Sequence, residues 1–209
     1  MIGILGGSFD PIHHGHLAIG RFVFDSLKLS ELRFLPCGQH AFAKPLRASK
    51  EHRLGMLLAA IEGERGFTID FRELERSGQS LTIESLREMR DEVGADEPLC
   101  FVLGVDAFVE FDRWHEWQAI LDVCHLVVMQ RPDYNMQLSA PLQAFLDNHL
   151  SNDINELTNS PAGKILLLDN PLHDDSSTQV REALTNHSNI VEFVPKKVAD
   201  YIDAHGLYQ

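Results

Sequence analysis

Apolar residues in this chain come as short blocks separated by stretches of helical periodicity. Met1–Leu5, Leu32–Pro36, Phe67–Phe71, Leu99–Gly104, His125–Met129 and Lys164–Leu168 are near-continuous apolar runs of strand length. Such runs suit strands buried on both faces. Between them, Gly15–Leu27 places Leu17, Ile19, Phe22 and Val23 on one side of a helix. Ser49 is placed to cap a helix running to Ile61, with Glu51 in its first turn. Further helices are expected at Thr82–Glu92, Trp114–Leu121, Ser177–Thr185 and Pro195–Ala204. Strand, crossover helix and strand again predict parallel pairing with right-handed crossovers. The polar stretch Asp133–Ala162, bounded by Pro132 and Pro161, reads as a surface excursion with one helix near Pro141–Asp147.

This alternation predicts an α/β chain of Rossmann-like form, a doubly wound parallel sheet with helices on both faces. Residues 1–209 are expected to form one domain ending in a helical segment at about 176–209. Ligands of such sheets lie beyond the carboxyl ends of the strands. The loops after Leu5, Pro36 and Gly104 should therefore share one cleft.

Composition narrows the class. The 44% apolar and 23% charged content is that of a globular protein, with Phe the commonest aromatic. A formal net charge of −13 argues against nucleic-acid and anionic-membrane partners. An anionic ligand would need a local cluster of cations, and His13, His16, Lys44, Arg47 and Arg181 fall in or beside the distinctive segments. Of the three cysteines, Cys100 and Cys124 lie in apolar runs and read as buried hydrophobes, whereas Cys37, just after a strand, is expected to be exposed. Their spacing suits a reducing cytoplasm, and there is neither a bilayer-length apolar run nor a secretory signal.

The chemistry concentrates at two places. The first strand breaks into Gly6-Gly7-Ser8-Phe9-Asp10-Pro11, followed by His13-His14-Gly15-His16 at the mouth of a helix. Glycines let backbone N–H groups approach an anion, and a helix N-terminus adds a positive dipole end. A Gly-Gly alone is usually a turn, and a loop histidine alone is usually a surface group. In this order, directly after the first strand, they point to a polyphosphate site. The second place is Asp175-Ser176-Ser177-Thr178-Gln179-Val180-Arg181. Its Ser and Thr suit a helix N-cap, and Arg181 projects from the first turn, where a guanidinium can fork onto phosphate oxygens.

The first of these motifs resembles the nucleotidyltransferase superfamily, and the second is similar to that superfamily's Ile-Ser-Ser-Thr-x-x-Arg, with Asp175 in place of Ile. Several further segments resemble the bacterial nicotinate-nucleotide adenylyltransferases over nearly the whole chain. These are Glu73–Gly78 with Ser80–Leu86, Leu103–Phe108 with Trp114-His115-Glu116-Trp117, Arg131-Pro132, and Val194-Pro195 through Tyr201-Ile202 to Gly206-Leu207-Tyr208. The resemblance implies adenylyl transfer from ATP to nicotinate mononucleotide, giving deamido-NAD and pyrophosphate. It implies His13, His16, Lys44 and Arg181 as catalytic residues. Gly6, Gly7, Ser8, Phe9, Gly104, Asp106, Ser176, Ser177 and Thr178 would bind ATP, with Mg²⁺ carried mainly by the phosphates. Thr82, Trp114, His115 and Arg131 would bind the mononucleotide. Where that family has Pro-Pro-His-Lys, this chain has Ala41-Phe42-Ala43-Lys44, with His40 nearby.

The physical reading of the same residues agrees. A pyridinium carboxylate wants an aromatic face and N–H donors. Trp114 offers the face, while Thr82 and His115, each expected near a helix start, offer donors. Asp106 suits ribose hydroxyls, and Trp117 is the better candidate for the core. A homo-oligomer is compatible with the sequence. Rival readings are a pantetheine-phosphate adenylyltransferase, which shares the first motif but lacks the Trp114 segment, and a non-catalytic nucleotide-binding regulator on the same fold.

Overall fold

The apolar blocks pair side by side, and those at Met1–Leu5, Leu32–Pro36, Leu99–Gly104 and His125–Met129 bury side chains on both faces. In the computed structural model, residues 1–38, 45–130, 136–169 and 175–208 are described. The chain runs β1 (Ile2–Gly7), α1 (His14–Ser26), β2 (Glu31–Pro36), α2 (Lys50–Ile61), β3 (Phe67–Ile69), α3 (Arg72–Glu75), α4 (Thr82–Val93), β4 (Leu99–Gly104) and α5 (Val105–Phe108). Two 3₁₀ turns follow, Phe111–Arg113 and Trp117–Ala119. Then come α6 (Ile120–Val123), β5 (His125–Gln130), α7 (Ala140–His149), β6 (Leu150–Ser151), α8 (Ile154–Thr158), β7 (Ile165–Asp169), α9 (Ser177–Thr185) and α10 (Lys196–His205).

The strands form one parallel sheet in the order β3-β2-β1-β4-β5-β7-β6. Strand alternation divides the core into two layers. Leu5, Val102, Val127 and Phe34 pack with Met56, Leu57, Val198 and Ile202 on one face. Ile4, Phe101, Leu103 and Val128 pack with Leu86, Met89, Phe108 and Phe111 on the other. The expected doubly wound α/β class is what the structure has. From β1 the chain turns toward β2, and β4 leads away toward β5, so the crevice between their carboxyl ends is the switch point where such folds bind ligands.

Several expectations are corrected. The third strand stops at Ile69, because the Asp70 carboxylate accepts from the Arg72 backbone N–H (3.1 Å) and its guanidinium (2.7 Å), turning the chain into α3. No single helix spans Trp114–Leu121. Glu116 is left-handed (φ 47°), and the two indoles share Phe111 while Trp114 also meets Phe101 and Trp117 meets Phe145. Trp117 is half-buried and packs against the edge of the second core layer through Phe111 and Phe145, as Trp114 does through Phe111 and Phe101. Asp133–Ala162 is more than a surface excursion: it supplies the edge strand β6, and Leu142, Leu146 and Leu157 are buried. No helix among the described residues is long and apolar enough to cross a membrane.

Candidate active site

A cavity of about 360 Å³ opens beyond the carboxyl ends of β1, β2 and β4. Gly6, Gly7, Leu35, Cys37, Leu103 and Gly104 line its inner part, so the strand-end loops do share one cleft. Thr82, Asp106, Trp114 and His115 form the rest of the wall with Glu73 and Ser80. Trp114 is half-buried against Phe101 and Phe111, with ring centroids 6.2 and 5.3 Å away, and its remaining face is open. Thr82 begins α4, where backbone N–H groups lack helical acceptors. His115 does not begin a helix. It sits exposed between the 3₁₀ turns, its Nε2 3.2 Å from Glu116.

The turn after β1 forms the other side. Phe9 is fully buried in a left-handed conformation (φ 48°), and its ring lies over Gly7, where a Cβ would come within 3.0 Å of it. A side chain at residue 7 would push that ring away, which explains the glycine. The Phe9 ring meets His16 edge-on at 5.0 Å, and His13 lies against the other side of His16 at 3.7 Å. His16 Nδ1 accepts from the His13 backbone N–H (3.3 Å), which leaves the ring proton on Nε2. Burial pushes the His16 pKa down to about 4, so the imidazole is neutral at pH 7. One N–H at the start of α1 is already used, because His14 N donates to the Phe193 carbonyl.

The second motif joins this turn directly. Ser177 Oγ donates to the Pro11 carbonyl (2.9 Å) and Arg181 Nη1 to the Asp10 carbonyl (2.6 Å). Ser176 caps α9 by accepting from Gln179 N, and Thr178 Oγ1 accepts from Arg181 Nη2. The hydroxyls expected to face an anion thus have internal tasks: Ser176 caps, Ser177 ties the elements together, and Thr178 supports Arg181. Asp175, which stands in place of the motif's Ile, is half-buried, and its carbonyl lies 3.3 Å from the site of a Cβ on Gly15. Lys44, His40 and Arg131 lie outside the described residues.

Other polar residues hold this arrangement and were not singled out from sequence. Asp10 is buried, accepting from Arg47 N (2.6 Å), Ala48 N (3.1 Å) and the Tyr208 hydroxyl (2.7 Å). Arg53 is 1% exposed and donates to the Ser8 carbonyl (2.8 Å), with the Gly38 carbonyl at 3.5 Å. Gly38 N in turn donates to Ser80 Oγ (2.9 Å), and a Cβ on Gly38 would overlap the Glu73 carbonyl. Glu73 accepts from Ser85 (2.9 Å), and its pKa is raised chiefly by burial. Cys37, expected to be exposed, is buried beneath this network, and its thiol is pushed up to about 11, mainly by desolvation. Arg53 had a signal: it shares the apolar side of α2 with Met56, Leu57 and Ala60, at helical spacing.

Comparison with known proteins agrees with this geometry. The cytidylyltransferase-like family model matches residues 4–183. A Yersinia pestis protein described as a probable nicotinate-nucleotide adenylyltransferase is 39% identical over 210 residues, covering 100% of this chain and 96% of the relative. One of the same description from Methylococcus capsulatus is 38% identical over 209 residues, covering 100% and 99%. Plasmodium falciparum nicotinic acid mononucleotide adenylyltransferase complexed with NaAD has the same fold, with a TM-score of 0.74 at 20% identity, covering 99% of this chain and 96% of that one. With sheet order, strand-end cleft and full-length relatives in agreement, the chain belongs to the cytidylyltransferase-like family and, within it, to the nicotinate-nucleotide adenylyltransferases.

Proposed function

We propose that this protein transfers the adenylyl group of ATP to nicotinate mononucleotide, releasing pyrophosphate and forming deamido-NAD, in the cytoplasm. The whole chain, including the segment from about 176, works as one domain. The observation that carries the reading is the junction of Arg181 and Ser177 with the Asp10–Pro11 backbone, which brings both anion motifs to one place beside an open cleft.

In this reading the triphosphate lies over Gly6, Gly7, Ser8 and Phe9, between His13 and His16 on one side and Ser176, Ser177, Thr178 and Arg181 on the other. Gly104 and Asp106 take the nucleoside; a Cβ on Gly104 would meet nothing within 4 Å, so the mouth there is open. The mononucleotide enters along Thr82, His115 and Trp114, with Lys44 and Arg131 as further cations. Its phosphate oxygen attacks the α-phosphorus in line. A new P–O bond forms as the α–β bridging P–O bond breaks, and the electron pair leaves on pyrophosphate. His16 donates from Nε2 to the phosphate oxygens that gain charge, and Arg181 stabilises the departing end. The chain's contribution is positioning and electrostatic stabilisation.

Mg²⁺ fits as a passenger of the nucleotide. Among the described residues no group of three His, Cys, Asp or Glu side chains converges on one point, and the Asp10 carboxylate is already engaged. Its ligands would be chiefly phosphate oxygens, whose charge it would neutralise. Mixing the protein with ATP, Mg²⁺ and either nicotinate mononucleotide or phosphopantetheine tests the assignment. Pyrophosphate and deamido-NAD are expected with the first acceptor. Release with only the second, or with neither, would contradict it.

A further inference from the structure

The last described residue of the chain reaches the first turn. Helix α10 is capped by Gly206 in the left-handed conformation (φ 58°), and Leu207 N donates back to the Ile202 carbonyl (3.1 Å). Tyr208 is itself left-handed (φ 65°), a conformation that costs a residue with a side chain roughly 1–2 kcal/mol. Such strain persists where surrounding contacts impose it. Here the contact is specific: the half-buried phenol donates to Asp10 Oδ1 at 2.7 Å, while its oxygen lies 4.0 Å from Met56 Sδ.

Asp10 is where the parts of the proposed triphosphate site meet. Its carboxylate holds the backbone of Arg47 and Ala48, the segment leading into α2, and its own carbonyl holds Arg181. The next residue, Pro11, holds Ser177. Among the described residues, Tyr208 supplies the side-chain donor to this carboxylate, and Arg47 and Ala48 donate from the backbone. Burial raises the Tyr208 pKa, with the Asp10 hydrogen bond adding to it, so the phenol stays protonated and can only donate toward this carboxylate. The tail is brought there by α10, which packs on α2 so closely that a Cβ on Gly55 would overlap the Tyr201 hydroxyl.

We propose that Tyr208 is a positioning residue for the nucleotide half of the site, its hydroxyl orienting Asp10 and, through it, Arg181 and the turn at Ser8–Pro11. This rests on the ATP reading above and deepens it. Tyr208→Phe keeps the ring and removes only the hydroxyl. A hydrogen bond to a charged group is worth roughly 1.5–3 kcal/mol, on the order of 10- to 100-fold. The expected result is a fall of about that size in kcat/KM for ATP, with KM for the mononucleotide within about twofold of wild type. Tyr201→Phe, which removes from α10 a hydroxyl 3.3 Å from His52 of α2, serves as the control and should leave kcat/KM for ATP unchanged.

If Tyr208→Phe leaves kcat/KM for ATP within twofold, or raises KM for the mononucleotide by as much as kcat/KM for ATP falls, the positioning role is wrong. An equal fall in Tyr201→Phe would show general loosening of α10 and would also overturn it. Wild-type protein that makes no dinucleotide would instead defeat the ATP reading itself, so the two failures are distinguishable.

Discussion

Around the turn after β1, both carboxylate oxygens and the carbonyl of Asp10 accept hydrogen bonds, Phe9 and Arg53 are essentially inaccessible, and His16 is clamped between two rings. Across the cleft, His115 and Asp106 are exposed, Trp114 is half-buried, and the wall is made of the four-residue helix α5, the residues between two 3₁₀ turns and the start of α4. In the proposed reading the contrast follows from what each side meets. A triphosphate carries charge that water solvates well, so the protein must offer donors already in place, because reorganising them would cost what the contacts return. A flat pyridine ring needs only a surface and a few donors. The rigid side should therefore govern rate and stability, and the open side should govern acceptor binding.

The strongest blow to the rigid side is Arg53→Met. It leaves the Ser8 and Gly38 carbonyls without their buried donor. Each buried acceptor left without its partner costs about 1–3 kcal/mol. Denaturant unfolding should show a loss of that order; under 1 kcal/mol would mean the network contributes little. Next is His16→Ala, for which turnover should fall on the order of a hundredfold or more, the scale for a preorganised donor. Near wild-type turnover in folded protein would remove His16 from the chemistry.

Trp114→Ala probes the open side. It should raise KM for the mononucleotide about tenfold, on the order of the value of an aromatic or cation–π contact, and leave KM for ATP alone. An unchanged mononucleotide KM would count against stacking there.

The smallest effect is on pH. His16 has its pKa lowered to about 4, from 6.5, by burial, and burial also lowers that of His125. His125 is held as the Nε2–H tautomer, with Nε2 2.8 Å from the Ser160 carbonyl and Nδ1 accepting from Lys164 N (3.1 Å). Below pH 6.5 the unfolded chain takes up protons that the folded one refuses, so stability present above that pH is lost as pH falls toward 4. The slope is at most about 1.4 kcal/mol per pH unit for each histidine. Urea midpoints at pH 7.5, 6.0 and 5.0 should fall in that order, and less steeply in His16→Asn.

What the sequence disclosed follows the same division. Strands buried on both faces advertise themselves as apolar runs, and the Gly6–His16 and Ser176–Arg181 motifs carry their chemistry locally. The helix expected over Trp114–Leu121 does not form because Glu116 is left-handed and splits the segment, while both indoles stay against Phe111. Cys37 looked exposed because its cover, the Gly38–Ser80 and Glu73 network, comes from residues more than thirty positions away. The Tyr208–Asp10 bond joins residues separated by 198 positions, which no local pattern encodes.

The central claim is that the turn after β1 and the start of α9 close on one triphosphate. Hydrogen exchange of the protein with and without a non-hydrolysable ATP analogue reads this directly. Amides of residues 6–16 and of 175–182 should gain protection together, at the same analogue concentration. Protection of one segment with the other unchanged would contradict the account.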